Sequence, residues 1–197
     1  MEYGTLTTLK KKFKTYIEND TIICGKYPQH LVECLVIIMD TVILKCIDYI
    51  DKNTAGLYVV KEQFLRNILN EYDFFGKYNE KFDRIINYSE NLFFNSELFY
   101  NSVEEKYGNK MMIEKQAKNF LNFMIASLQY DVVLLSCKIL NYINKKTLNA
   151  ELLLLSFDYI MGGNYFLPQF KLKFDCCKNT DEKSENCGVE TIDEESA

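Results

Sequence analysis

Two stretches of this chain present the same order of elements at an offset of 89 residues. Tyr58-Val59-Val60-Lys61-Glu62-Gln63-Phe64-Leu65 follows one long apolar helix pattern, and Thr147-Leu148-Asn149-Ala150-Glu151-Leu152-Leu153-Leu154 follows another. A shorter amphipathic segment precedes each long one. Solenoid repeats run about 20–50 residues, so a period this long marks a duplicated small domain.

Apolar spacing supplies the elements. Leu6, Leu9, Phe13 and Ile17 predict a short helix over about 6–18, with Lys10, Lys11, Lys12 and Lys14 between them. After a loop through Gly25 and Pro28, Leu31, Leu35, Ile38, Val42, Cys46 and Ile50 trace one face of a long helix. Val32, Val36, Met39, Ile43 and Ile47 trace an adjacent face, so this helix needs cover on more than one side. Gly56 is a left-handed stop, Tyr58-Val59-Val60 an extended piece, and Glu62 to Leu69 a third helix. The order then recurs. A helix capped by Ser96 ends at Gly108, a long helix runs from Glu114 to about Asn144, and a last helix runs from Ala150 to Met161 before Gly162-Gly163. Phe74, Phe75, Tyr78, Phe82, Ile85 and Ile86 make the join between halves apolar.

Charge is unevenly distributed. From Phe174 onward eight carboxylates face Lys178 and Lys183, so this tail carries −6 of the net −5 and the rest of the chain carries +1. Such a tail is too polar to pack and reads as disordered. The seven cysteines are odd in number and scattered; they read as small hydrophobes in a reducing intracellular compartment rather than as a disulfide frame or a metal site. The N-terminus lacks a secretory pattern, and Glu33, Asp40, Lys45 and Asp48 break the most apolar run, which argues against a membrane span or membrane partner. No phosphate loop, His-Glu-x-x-His or nucleophile elbow is present, and the lone His30 reads as a surface or capping residue. The expectation is a non-enzyme, with no catalytic residues, cofactor or metal.

Lys146-Thr147-Leu148-Asn149-Ala150 resembles the second-loop pattern of core histones, and Phe120-Leu121-Asn122-Phe123-Met124 resembles the opening of their central helix. Tyr58-Val59-Val60-Lys61 occupies the equivalent place in the first half, without the threonine. With its short–long–short helix order, the chain resembles a histone-fold doublet, similar to the fused doublets encoded by large DNA viruses. The resemblance covers about residues 5–165 as pattern and length, with few identities. It implies an all-α chain of two tandem histone folds, packed as an intramolecular heterodimer. The expected divisions are a first fold over 1–75, an amphipathic connector over 76–95, a second fold over 96–165 and a C-terminal segment over 166–197.

The resemblance also implies a function. Histone dimers set the first loop of one fold beside the second loop of the other, and both face DNA phosphates. Carried over, Lys26 meets Lys145 and Lys146, Lys110 meets Lys61, and Lys10, Lys11, Lys12 and Lys14 on the first helix form a third contact. The expected partners are double-stranded DNA, bound without base reading, and another histone-fold protein or doublet in a nucleosome-like assembly, located in a nucleus, viral factory or virion. The chain departs from histones in having lysines where they insert arginine; Arg66 and Arg84 lie outside the loops. Two alternatives stand beside this reading: a transcription-factor-like interaction module of the same fold, and a viral helical bundle similar to Bcl-2-like proteins that binds a host partner.

Overall fold

A computed structural model describes residues 21–24, 26–50, 56–83, 92–162 and 168–171, together with Thr7, Leu9, Lys11, Lys14, Ile17 and Phe166. The elements in order are β1 (Ile22–Ile23), α1 (Tyr27–Tyr49), β2 (Tyr58–Val60), α2 (Glu62–Asn70), α3 (Asp73–Asp83) and α4 (Ser96–Tyr107). After a 3-10 turn at Gly108–Lys110 come β3 (Met111–Ile113), α5 (Lys115–Tyr142), β4 (Thr147–Leu148) and α6 (Ala150–Met161). The described protein is all-α, its strands being only two or three residues long. Thr7, Leu9, Lys11 and Lys14 are helical, within the helix expected over 6–18, and Leu9 is buried.

Local chemistry sets the helix ends. Pro28 opens α1, where its missing N–H costs nothing. Asn149 caps α6 by accepting from Leu152 N at 3.0 Å, and Gly162, at φ +68°, ends it in the left-handed region. The cap of α4 is Asn95, which accepts from Glu97 N at 3.1 Å, and not Ser96; Ser96 lies within the helix and is buried. An amide oxygen one residue earlier reaches the free N–H, which leaves the serine to the core.

The strands tie the halves together crosswise. β1 pairs in parallel with β4, with Ile22 opposite Thr147, and β2 pairs in parallel with β3, with Tyr58 opposite Met111. The two registers are related by the offset of the sequence repeat: Ile22 and Met111 lie 89 residues apart, as do Tyr58 and Thr147. Each half therefore contributes its first loop to one pairing and its second loop to the other. The start of α1 lies at the end of α5, and the end of α1 lies at the start of α5.

Packing follows the same exchange. α2 packs on α1 of its own half and on α5 of the other, while α6 packs on α5 and on α1. The broad apolar surface of α1 is thereby covered: Leu31, Leu35, Ile38, Met39, Val42, Ile43 and Cys46 are all fully buried. Each such side chain contributes roughly 1.5–3 kcal/mol of burial. α5 would be long and apolar enough to cross a membrane by length and composition, and here 56% of its most apolar window is buried within the fold.

Buried polar groups are bonded across elements. Tyr27 at the start of α1 donates to Ser136 Oγ of α5 at 2.9 Å, and Ser136 meets Ser156 of α6 at 2.8 Å. Tyr100 of α4 donates to Asn122 Oδ1 of α5 at 2.8 Å, and Phe93 N donates to Gln129 Oε1 at 3.1 Å. Arg66 of α2 bonds Glu62 at 2.8 Å and Asp83 of α3 at 2.7 Å while lying 4.6 Å over the Phe120 ring of α5.

Two expected boundaries look different in the fold. α3 runs unbroken through the division at 75/76, with Phe74, Phe75 and Tyr78 buried, so the join between halves is itself a core element. Phe166 and Phe170, assigned to the C-terminal segment, are buried as well: Phe166 packs on Tyr72 and Phe170 on Phe157. The remainder of the connector, from 84 to 91, and the acidic tail lie outside the described residues.

Candidate nucleic-acid interface

The crosswise pairing creates two loop clusters at opposite ends of the long helices. At the first, Ile22 N donates to Lys146 O at 2.7 Å and Cys24 N to Leu148 O at 2.9 Å. These bonds set the Lys145-Lys146 loop against the segment that leads into Lys26, and all three lysines are exposed. α1 begins there with no acidic residue in its first turn and no side-chain cap, so its N-terminal dipole adds to the positive field. Thr21, Asn141, Asn144, Lys145 and Lys146 line a cleft of about 250 Å³ at the same end.

At the second end, Lys61 follows β2 and Lys110 precedes β3, both exposed; the parallel register sets them beyond opposite ends of the strand pair, Lys61 level with Glu114 and Lys110 level with Leu57. Carboxylates share that place. Glu62 and Glu114 directly follow the paired strands, and Glu104 Oε1 accepts from Ile113 N at 3.4 Å. Lys118 is held by Glu104 at 3.2 Å and by Glu97 at 4.0 Å, over the Tyr100 ring. The pairings put Lys26, Lys145 and Lys146 at one end of the long helices and Lys61 and Lys110 at the other, with Lys61 and Lys110 on opposite sides of their strand pair. Of the first-helix lysines, Lys11 and Lys14 are helical and exposed; Lys10 and Lys12 lie outside the described residues.

The other polar candidates have structural surroundings. His30 is half-buried in α1. Burial pushes the Cys34 thiol well up and the Cys46 thiol to about 12, which keeps both protonated and unreactive near neutrality. Cys24 is exposed at the first end. Among the described residues no group of His, Cys, Asp and Glu is arranged to hold a metal ion; Cys176, Cys177 and Cys187 lie outside them.

No protein-family model and no curated protein matches the chain. The site therefore rests on its own geometry. Sequence reasoning missed Thr21, Asn141 and Asn144. The signal was present in Asn144-Lys145-Lys146 following a helix end, because Asn takes the left-handed conformation more readily than most residues. Asn144 does so, at φ +53°.

Proposed function

We propose that this chain is a histone-fold doublet that organises double-stranded DNA by gripping its phosphates, with no catalytic role. One observation carries the reading. The two parallel strand pairings share one register under the 89-residue offset, and each joins the first loop of one half to the second loop of the other. An ordinary helical bundle has no need of that exchange; a pair of short–long–short units whose long helices lack cover does. The lysines of the paired loops supply the chemistry, as ammonium groups that displace counterions from phosphate without reading bases. The absence of arginine from the described loops favours charge over minor-groove insertion.

The assembly partner in this proposal is another histone-fold protein or doublet, in a nucleus, viral factory or virion. Its docking face is the groove between the second half of α5 and α6. Leu134, Leu135, Tyr159 and Ile160 line it beside the Lys77–Asp131 ion pair, and Leu134 and Tyr159 are 39% and 77% exposed.

The test is fluorescence anisotropy of a labelled duplex of about 30 base pairs with the full chain at low salt. Saturable binding that weakens steeply as salt rises supports the reading. No binding at low salt, with or without residues 174–197, would sink it.

A further inference from the structure

The cleft at the first end is not a flat cationic patch. Two carboxamides, Asn141 and Asn144, stand in it beside the ammonium groups of Lys145 and Lys146, with Thr21 opposite. Each carboxamide offers both donors and an acceptor, so it can donate to a phosphate oxygen and, unlike an ammonium group, can also match the donor–acceptor edge of a base. Backbone bonds fix the walls relative to one another. Asn144 N donates to Asn141 O at 3.1 Å, Lys145 N to Leu140 O at 3.1 Å, and Ile22 N to Lys146 O at 2.7 Å. The side chains of Asn141, Asn144 and Lys145 have no hydrogen bond or ion pair among the described residues.

At the end of α5, outside the residues that line the cleft, the ring of Tyr142 is left in water. It is 91% exposed, next in the chain to Asn141, and followed by Ile143 at 42%. Exposed aromatic rings next to cations are the elements with which proteins hold unpaired nucleotides, since every base has a face to stack and a phosphate to neutralise. In a duplex the base faces are already stacked on one another, so Tyr142 has no ring to stack on there.

We propose that this cleft binds an unpaired nucleotide of a single-stranded nucleic acid. Lys145 and Lys146 meet the phosphate, Asn141 and Asn144 meet the base edge, and Tyr142 stacks. The two lysines are shared with the duplex surface proposed above; the stacking ring of Tyr142 is not, and it separates the two activities.

The experiment measures anisotropy of labelled dT15 and of a 15-base-pair duplex with the full chain, using inorganic polyphosphate as competitor. Tyr142→Ala is expected to weaken dT15 binding about tenfold with duplex affinity changed less than twofold, and Asn141→Ala with Asn144→Gly to weaken dT15 binding severalfold. Tyr142→Phe should restore dT15 binding. All three positions are exposed and Asn144 already has a glycine-compatible φ, so the variants should melt like the parent. Equal losses on both ligands, no loss, or polyphosphate displacing dT15 charge for charge would overturn the proposal. Binding of dT15 without any binding of duplex would overturn the doublet reading and leave this one standing.

Discussion

The two ends of the molecule are built on one plan and charged differently. Each has a parallel strand pair in the same register, and each sits where one long helix begins and the other finishes. At the β1–β4 end, residues 21–26 and 145–149 contain Lys26, Lys145 and Lys146 and no carboxylate, and Glu151, the counterpart of Glu62, lies just beyond in the first turn of α6. At the β2–β3 end, Lys61 is followed by Glu62 and lies level with Glu114, and Glu104 of α4 accepts from Ile113 N, while Lys110 lies at the other end of the strand pair. A shared backbone framework, then, does not make the ends equivalent anion sites. The framework follows from apolar burial, whereas the field follows from a few side chains that burial leaves free to vary.

The largest effect expected from this difference is on stability. Leu148 of β4 and Val60 of β2 are both fully buried under their strand pairs. Leu148→Ala removes more methylenes and should cost about 2–5 kcal/mol, with Val60→Ala costing less, read by urea unfolding. Because α2 and α6 each pack on both long helices, either substitution should shift one cooperative transition. Two separate transitions would break the picture of interlocked halves.

Next comes the salt dependence of duplex binding. Replacing Lys26, Lys145 and Lys146 with Gln should make the log–log salt slope shallower by about 3, while Lys61→Gln with Lys110→Gln should change it by less than about 1 because neighbouring carboxylates already oppose phosphate there. Equal changes per lysine at the two ends would remove the distinction.

Two smaller effects probe how the β1–β4 end is held. Asn149→Ala deletes the α6 cap and should cost about 1 kcal/mol in thermal or chemical unfolding. Tyr27→Phe removes the bond to Ser136, also at about 1 kcal/mol, since Ser136 keeps its contacts to Ser156 and to the Val132 carbonyl. Burial raises the Tyr27 hydroxyl above its ordinary 10.0. Its stabilising contribution is therefore complete below pH 10 and is lost as pH rises from there toward the higher folded value. The stability curves of parent and Tyr27→Phe should converge above pH 10. Curves that stay parallel would mean Tyr27 is not closed off from solvent. The thiols of Cys34 and Cys46, also raised by burial, extend the alkaline loss of stability in both proteins from about their ordinary 9.0 upward.

Much of this architecture is legible in the amino-acid sequence, for physical reasons. Long helices announce themselves because burial on several faces demands apolar residues at every turn, as along Leu31 to Ile50. Helix stops were readable where only glycine suits the backbone: Gly56 and Gly162 both have positive φ. The extended Tyr58-Val59-Val60 is β-branched and short, and it formed β2. α3 was read only as an apolar connector because Gly76 interrupts the pattern; Phe74, Phe75 and Tyr78 hold it through burial. The Asn95 cap was missed for a local reason, since either of two adjacent polar residues could accept the first free N–H. The acidity of the β2–β3 end was not legible, because Glu104 reaches Ile113 only through the packing of α4. Nor was the polar cleft, which depends on the backbone angle of one asparagine.

The central claim is that DNA is gripped mainly where β1 meets β4. A photo-crosslinking side chain placed at Ile22 or at Met112 tests it directly, since these are exposed apolar positions on the two strand pairs, at 57% and 48%. With a bound duplex at low salt, the account predicts strong cross-linking from position 22 and weak cross-linking from position 112. Equal yields, a reversed order, or no cross-link from position 22 would contradict it.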